Sequence, residues 1–321
     1  MNNAEFLIEA IDLSKKFKIK TGYFKTDYVK AVDNASFGIK KGKTLAIIGE
    51  SGSGKTTLGR ILLRIVEPDC GKIIYHGKDI TNIKMKSYRK KMQIIFQNPA
   101  SALDPKMTAK QIIAEAIGVH KLAKDKKEEN EKIANMLNQT GLDIKYAQKY
   151  PHEFSKGQQQ RITIARALAV EPEFIVCDEP TSALDMSIQS QIINLLMKLQ
   201  QDKGTAYMFI SHDLALVRYI SDETAVMYMG SIIEKSTSAE IYSNPAHPYT
   251  IDLLNSYSAC DKAFNFMQFK SQPHDSAINK SAEQKGCAYA VKCKYAKDIC
   301  RHIKPTMSQI AINHYSACHL I

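Results

Sequence analysis

The apolar positions of residues 6–13 and 31–39 read as two strands, with a basic, aromatic loop at 18–30 between them. A short apolar run at 43–48 predicts a buried strand, and residues 58–66 return to the three-to-four spacing of a helix. The first hundred residues therefore read as β-rich. From 107 to 139 the character changes. Ile112, Ile113, Ala116 and Ile117, then Ile133, Met136 and Leu137, recur at helical spacing on either side of a polar stretch at 124–130, which predicts an inserted helical segment. Beyond it, apolar strands at 174–177, 206–210 and 224–228 alternate with helices at 157–170 and 187–201, the order that builds a parallel sheet. Around residues 260–283 the pattern fades into polar positions. A linker is expected there, with a small cysteine-bearing module after it.

Composition narrows the class. A length of 321 residues exceeds what one compact core usually needs, so one large domain with an appendage, or two domains, is expected. No apolar run reaches the roughly 18 residues that span a bilayer. The first ten residues carry Glu5 and Glu9 and lack a basic start followed by an apolar stretch, so no secretory leader is expected and the chain is placed in the cytosol. The formal charge of +11 is concentrated at the two ends of the chain. Such a surface could meet nucleic acid or an anionic membrane face, yet a solvated lysine-rich surface is the plainer reading. Seven cysteines in a cytosolic chain argue against a disulfide framework, and four of them lie in the last 35 residues.

The strongest chemical signal is Gly49, Glu50, Ser51, Gly52, Ser53, Gly54, Lys55 and Thr56, followed by Thr57. It fits GxxxxGK[ST] between an expected strand and an expected helix. Glycines let backbone N–H groups turn towards phosphate oxygens, the helix start adds its positive dipole end, Lys55 neutralises the β and γ phosphates, and the Thr56 hydroxyl suits Mg²⁺. The strand at 174–177 runs into Asp178 and Glu179, carboxylates suited to holding Mg²⁺ and to orienting or deprotonating an attacking water. His212 follows the strand at 206–210, at the sheet edge where ligands gather, although a lone histidine there also serves structure. Gln97 ends another expected strand and could reach a metal.

Phe154-Ser155-Lys156-Gly157-Gln158 opens a helix 20 positions before Asp178. With this segment the chain resembles the ATP-binding cassette family: phosphate loop, glutamine, LSGGQ-like signature, acidic strand end, Ser182-Ala183-Leu184-Asp185 and histidine occur in the family's order across residues 5–245. The resemblance implies an α/β P-loop NTPase cassette, with a RecA-like parallel sheet core, an antiparallel β subdomain and a helical subdomain at about 100–170. It implies ATP with Mg²⁺, Phe17 stacked on adenine with Tyr23 and Tyr28 as competitors, and Asp185 among the nucleotide-site residues. It further implies that Ser155, Gly157 and Gln158 touch the γ-phosphate of ATP held by a second subunit in a head-to-tail dimer. Phe154 stands where the family has leucine, and Lys156 where it has the first signature glycine. A side chain at Lys156 would be strained if its φ were positive.

Tyr242 to Thr250, containing His247-Pro248-Tyr249, resembles the extension of the oligopeptide and dipeptide importer ATPases, and residues 94–108 and 175–180 are closer to the subunit lettered F than to D. The expected parts are a cassette at 1–245, an extension and linker at 246–284, and a cysteine module at 285–321. Cys287, Cys293, Cys300 and Cys318 are separated by five, six and seventeen residues, without a CxxC knuckle, among Lys292, Lys294, Lys297 and Arg301. By spacing alone a cluster, zinc and free thiols all remain open. The resemblance implies a four-iron, four-sulfur cluster there, consistent with four thiolate ligands. His302, His314 and His319 read as surface or packing residues.

The implied partners are a D-type ATPase subunit, two transmembrane permease subunits and, indirectly, a peptide-binding protein. The chain would then work peripherally, at the cytoplasmic face of the cell membrane, without nucleic acid. Alternatives are import of another small solute such as a metal chelate, or a non-transport ATPase of the same superfamily acting on nucleic acid or the ribosome. The latter usually carries coiled coils, a second cassette or large insertions.

Overall fold

A computed structural model describes residues 5–20, 26–182, 184–258 and 285–321. The expected linker at 260–283, together with Tyr23, Ala183 and Cys260, lies outside the described residues. The strands are β1 (Ile8–Lys20), β2 (Thr26–Ile39), β3 (Thr44–Ile48), β4 (Cys70–Tyr75), β5 (Lys78–Asp79), β6 (Met92–Ile95), β7 (Phe174–Asp178), β8 (Ala206–Ile210), β9 (Glu223–Tyr228), β10 (Ser231–Thr237), β11 (Ser308–Ala311) and β12 (His314–Ser316). The α-helices are α1 (Lys55–Leu62), α2 (Pro99–Ala102), α3 (Ala109–Val119), α4 (Lys126–Gln139), α5 (Lys156–Leu168), α6 (Met186–Lys203), α7 (Leu214–Ile220), α8 (Ser238–Ser243), α9 (Pro248–Ser258) and α10 (Asp298–His302).

Two compact units emerge. The first comprises Met1–Gly38, Leu45–Thr81 and His212–Ile321. It holds an antiparallel ladder of order β2-β1-β4-β5, and a mixed set of order β11-β12-β10-β9-β3 in which β3 and β9 are parallel while β10 pairs antiparallel with both β9 and β12. Leu45, Ala46, Ile47 and Ile48 of β3 are buried, as a continuous apolar strand requires when both its faces are covered. The described C-terminal residues 285–321 join this unit through β12, whose Tyr315 and Ser316 pair with Lys235 and Glu234.

The second unit comprises Ile39–Thr44 and Asn82–Ser211. Here β6, β7 and β8 are parallel, with Cys177 between Ile95 and Phe209 in register. Helices α3, α4 and α5 form the helical insert, and the helical-spacing residues Ile112, Ile113, Ile117, Ile133, Met136 and Leu137 are buried. The polar stretch at 124–130 runs into α4, which begins at Lys126. Asp125 caps α4 by accepting a bond from Glu128 N–H at 2.8 Å, and Lys126–Glu129 and Lys132–Glu128 pair one turn apart. The loop expected at 18–30 is shorter, since β1 runs to Lys20 and β2 starts at Thr26. No helix among the described residues is long and apolar enough to cross a membrane.

Candidate functional site

The phosphate loop lies in the first unit between β3 and α1. Gly49 has φ +148°, and a Cβ there would lie 2.1 Å from the Met227 carbonyl oxygen; Gly54, at φ +105°, would place one 2.0 Å from that of Ala31. Only glycine fits either place. Lys55 opens α1, is buried, and donates from Nζ to the carbonyl oxygens of Gly49 and Glu50 at 2.8 Å each. The loop is pinned further by Gly230 N–H donating to Ser53 O at 2.9 Å. Thr56 and Thr57 follow Lys55 in the first turn of α1, a helix start that carries no acidic residue and whose backbone N–H groups suit an anion.

The acidic strand end belongs to the second unit. Asp178 closes β7 and is buried at 3% exposure, while Glu179 departs from the sheet in the left-handed region at φ 47°. Its N–H still donates to Ile210 O at 2.9 Å, so the sheet fixes the backbone from which the carboxylate projects. A non-glycine residue in that conformation costs about 1–3 kcal/mol. Gln97 Nε2 donates to Glu179 Oε2 at 2.8 Å, so the structure joins two residues that the sequence places 82 positions apart. The bond uses the amide end of Gln97 and leaves its carboxamide oxygen as the acceptor end, the end a hard cation takes. His212 follows β8 by two positions, and the next residue, Asp213, caps α7 by accepting from Ala215 and Leu216 N–H.

The signature begins α5. Ser155 is its N-cap and forms a reciprocal box with Gln158: Gln158 N–H donates to Ser155 Oγ at 3.3 Å and Ser155 N–H to Gln158 Oε1 at 3.1 Å. Lys156 is the exposed first residue of the helix and is not among the described non-glycine residues with positive φ, so the backbone penalty considered for it does not arise. Gly157 is the constrained position, because a Cβ there would lie 2.6 Å from Ile188 Cγ2 on α6. Phe154 is buried against Tyr146, with ring centroids 6.2 Å apart. Asp185 caps α6, accepting from Ile188 N–H at 3.0 Å, and that bond and the Ser187 hydroxyl hold its carboxyl below the ordinary range. Phe17 sits on β1 of the first unit, 40% exposed, with Lys15 Nζ 5.8 Å from its ring centre; Tyr28, on β2, is 60% exposed.

Sequence reasoning missed the residues that bind β10, the segment leading into α9 and β12 together. Glu234 on β10 is fully buried and accepts from Ala246 N–H at 2.7 Å, His247 N–H at 2.8 Å and His314 Nε2 at 2.7 Å. His314 is therefore a buried hydrogen-bond partner of Glu234, which its polar strand did not signal. His247 Nδ1 accepts from Tyr249 N–H at 3.0 Å, and burial pushes the imidazole pKa down to about 4. Tyr249 also reaches the phosphate loop, accepting from Glu50 N–H at 2.9 Å.

The four cysteines are brought together within the first unit. Cys287 N–H donates to Cys300 O at 2.7 Å, and Cys287, Cys293 and Cys300 lie within electrostatic reach of Cys318. Burial, and then the neighbouring cysteines, push the thiols of Cys287, Cys293 and Cys318 up. No group of three or more His, Cys, Asp or Glu among the described residues could hold a single metal ion as placed. A zinc ion would need its sulfurs about 2.3 Å from one centre. An iron–sulfur cluster spreads its ligands over separate iron corners, and an all-cysteine donor set suits it.

Residues 32–182 match the ABC transporter family, and residues 233–300 match the oligopeptide/dipeptide transporter C-terminal region. The chain is 44% identical to the oligopeptide transport ATP-binding protein AppF of Bacillus subtilis, over 99% of this chain and 98% of that one. It is 41% identical to the dipeptide transport ATP-binding protein DppF of Escherichia coli, over 94% and 90%. Among solved structures it resembles a dimeric post-hydrolysis state of the ATP-binding cassette MJ0796 bound to ADP and Pi, with TM-score 0.65 and 27% identity over 72% of this chain and 98% of that one. Phosphate loop, acidic strand end, signature and C-terminal region together place the chain in the ABC transporter ATPase family, among the ATP-binding proteins of the oligopeptide/dipeptide type.

Proposed function

We propose that the chain is the ATP-hydrolysing subunit that energises import of oligopeptides or dipeptides through a membrane ABC transporter. The observation that carries this is the near full-length identity to peptide-transport ATP-binding proteins, which includes the C-terminal region as well as the cassette. In this reading the phosphate loop and Lys55 bind the β and γ phosphates, and Phe17 packs on the adenine. Thr56, Asp178 and Gln97 are the oxygen donors suited to Mg²⁺, which when bound offsets phosphate charge. Glu179, held by Gln97 and by its own strand end, orients the attacking water and takes its proton, with His212 assisting at the γ-phosphate.

Ser155, Gly157 and Gln158 present the start of α5 to the γ-phosphate of ATP on a D-type partner in a head-to-tail dimer, Asp185 lines the same nucleotide site, and closure is passed to two permease subunits. Work at the cytoplasmic face of the membrane, with a peptide-binding protein delivering cargo, completes this assignment. Cys287, Cys293, Cys300 and Cys318 hold a four-iron, four-sulfur cluster; chain purified without oxygen should be brown and lose that absorbance on Cys300→Ser, whereas colourless protein would exclude the cluster.

Glu179→Gln tests the catalytic assignment. It keeps the size of the side chain and the contacts to phosphate while removing the base, so ATP binding should persist and hydrolysis should fall by about two orders of magnitude or more. Hydrolysis at the unmodified rate would defeat the assignment.

A further inference from the structure

The Gly49–Glu50 peptide unit is held at both polar ends. Its carbonyl accepts from the Lys55 ammonium at 2.8 Å, and its N–H donates to the Tyr249 phenol oxygen at 2.9 Å, 199 residues along the chain. Gly49 has no side chain to resist rotation of this peptide plane, so its orientation depends on those two partners. Tyr249 is well suited to fix it. The ring is 2% exposed and packs on Tyr228 and Tyr289, with centroids 4.5 and 5.4 Å away. Its backbone N–H is anchored on His247, which the buried Glu234 holds in turn.

We propose that Tyr249 is a positioning residue for nucleotide binding: it fixes the Gly49–Glu50 peptide plane and thereby the direction in which the Gly49 carbonyl holds Lys55. The His-Pro-Tyr segment then acts on the phosphate loop from outside it, through one hydroxyl. This rests on the phosphate loop binding ATP. Without the hydroxyl, the Glu50 N–H loses its partner, the plane can turn, and the ammonium loses a fixed acceptor before phosphate arrives.

The test is Tyr249→Phe in the full-length chain, which keeps the ring packing and removes only the oxygen. Titration with a non-hydrolysable Mg-ATP analogue should show binding weakened about three- to tenfold, the size of one lost hydrogen bond. The ¹⁵N-labelled Glu50 amide resonance should move, and Tyr289→Phe, which keeps its ring but does not touch the loop, should bind as wild type. Unchanged affinity or an unmoved Glu50 amide in Tyr249→Phe overturns the proposal. So does equal weakening in Tyr289→Phe, which would mean that losing any buried hydroxyl of the aromatic cluster weakens binding, whether or not it bonds the loop. If Tyr249→Phe does not fold, hydrogen exchange of the wild-type chain decides: protection of the Glu50 amide supports the bond, and exchange as fast as at Ser51 overturns it. Wild-type binding and Lys55→Ala, measured alongside, separate this outcome from failure of the ATP assignment itself.

Discussion

Glu234→Gln is the substitution that most directly probes how the C-terminal region is fastened. The wild-type carboxylate has no exposed surface and offers one oxygen to Ala246 N–H and His314 Nε2 and the other to His247 N–H. A glutamine keeps only one oxygen. Placed to serve Ala246 and His314, its NH₂ faces the His247 N–H, donor against donor; flipped, its NH₂ faces the Ala246 N–H in the same way. One buried donor left unpaired costs about 1–3 kcal/mol, and the remaining bonds lose charge assistance worth about 1 kcal/mol in total, so a loss of about 3 kcal/mol is expected. Urea unfolding followed by tyrosine fluorescence measures it. Glu240→Gln is the control, since that carboxylate is 38% exposed and lies 3.9 Å from His314 Nδ1, and it should change stability by less than about 1 kcal/mol. A loss below about 1 kcal/mol for Glu234→Gln, or equal losses for both, would refute the reasoning.

Two further outcomes are expected. Between its ordinary pKa of 6.5 and the folded value of about 4, His247 binds an additional proton only in the unfolded chain, so stability should fall as pH drops through that window, by about 2 kcal/mol from pH 7 to pH 5; His247→Asn, which keeps an acceptor for Tyr249 N–H, should lose this part of the slope, and an identical slope in both proteins would contradict it. Gly157→Ala gains about 1 kcal/mol of helix propensity but sets a Cβ against Ile188, an overpacking of about 1–3 kcal/mol, so thermal unfolding should show a net loss that Ile188→Ala relieves; stabilisation by Gly157→Ala alone would disprove the clash.

The parts of this molecule that were legible in sequence are those whose chemistry is local. Gly49 to Thr56 is a contiguous run in which Gly49 and Gly54 are demanded by nearby backbone, and Phe174 to Glu179 is a strand with its carboxylates attached. The helical insert was legible because Ile112, Ile117, Ile133 and Leu137 keep one apolar face. What escaped is carried by contacts distant in sequence. A glutamate in the polar run Glu234-Lys235-Ser236 gives no sign that it will be buried, since its burial depends on His314, 80 residues later. Strands β11 and β12 are short and mostly polar or exposed, without an alternation to announce them. The Tyr249 bond to Glu50 leaves no local pattern at either end. Lys156 shows the reverse: the signature position that looked damaged is an ordinary exposed helix start, and the constraint falls on Gly157 beside it.

The central claim is that ATP hydrolysis by this chain drives peptide uptake, and reconstitution tests it most directly. The chain, a second ATPase subunit and two permease subunits of a peptide importer would be placed in vesicles with a peptide-binding protein, and uptake of a labelled peptide mixture measured with and without Mg-ATP. Uptake that requires ATP and is abolished by Lys55→Ala or Glu179→Gln is the predicted result; ATP hydrolysis that proceeds with no peptide accumulated, or that drives uptake of a non-peptide solute instead, would contradict it.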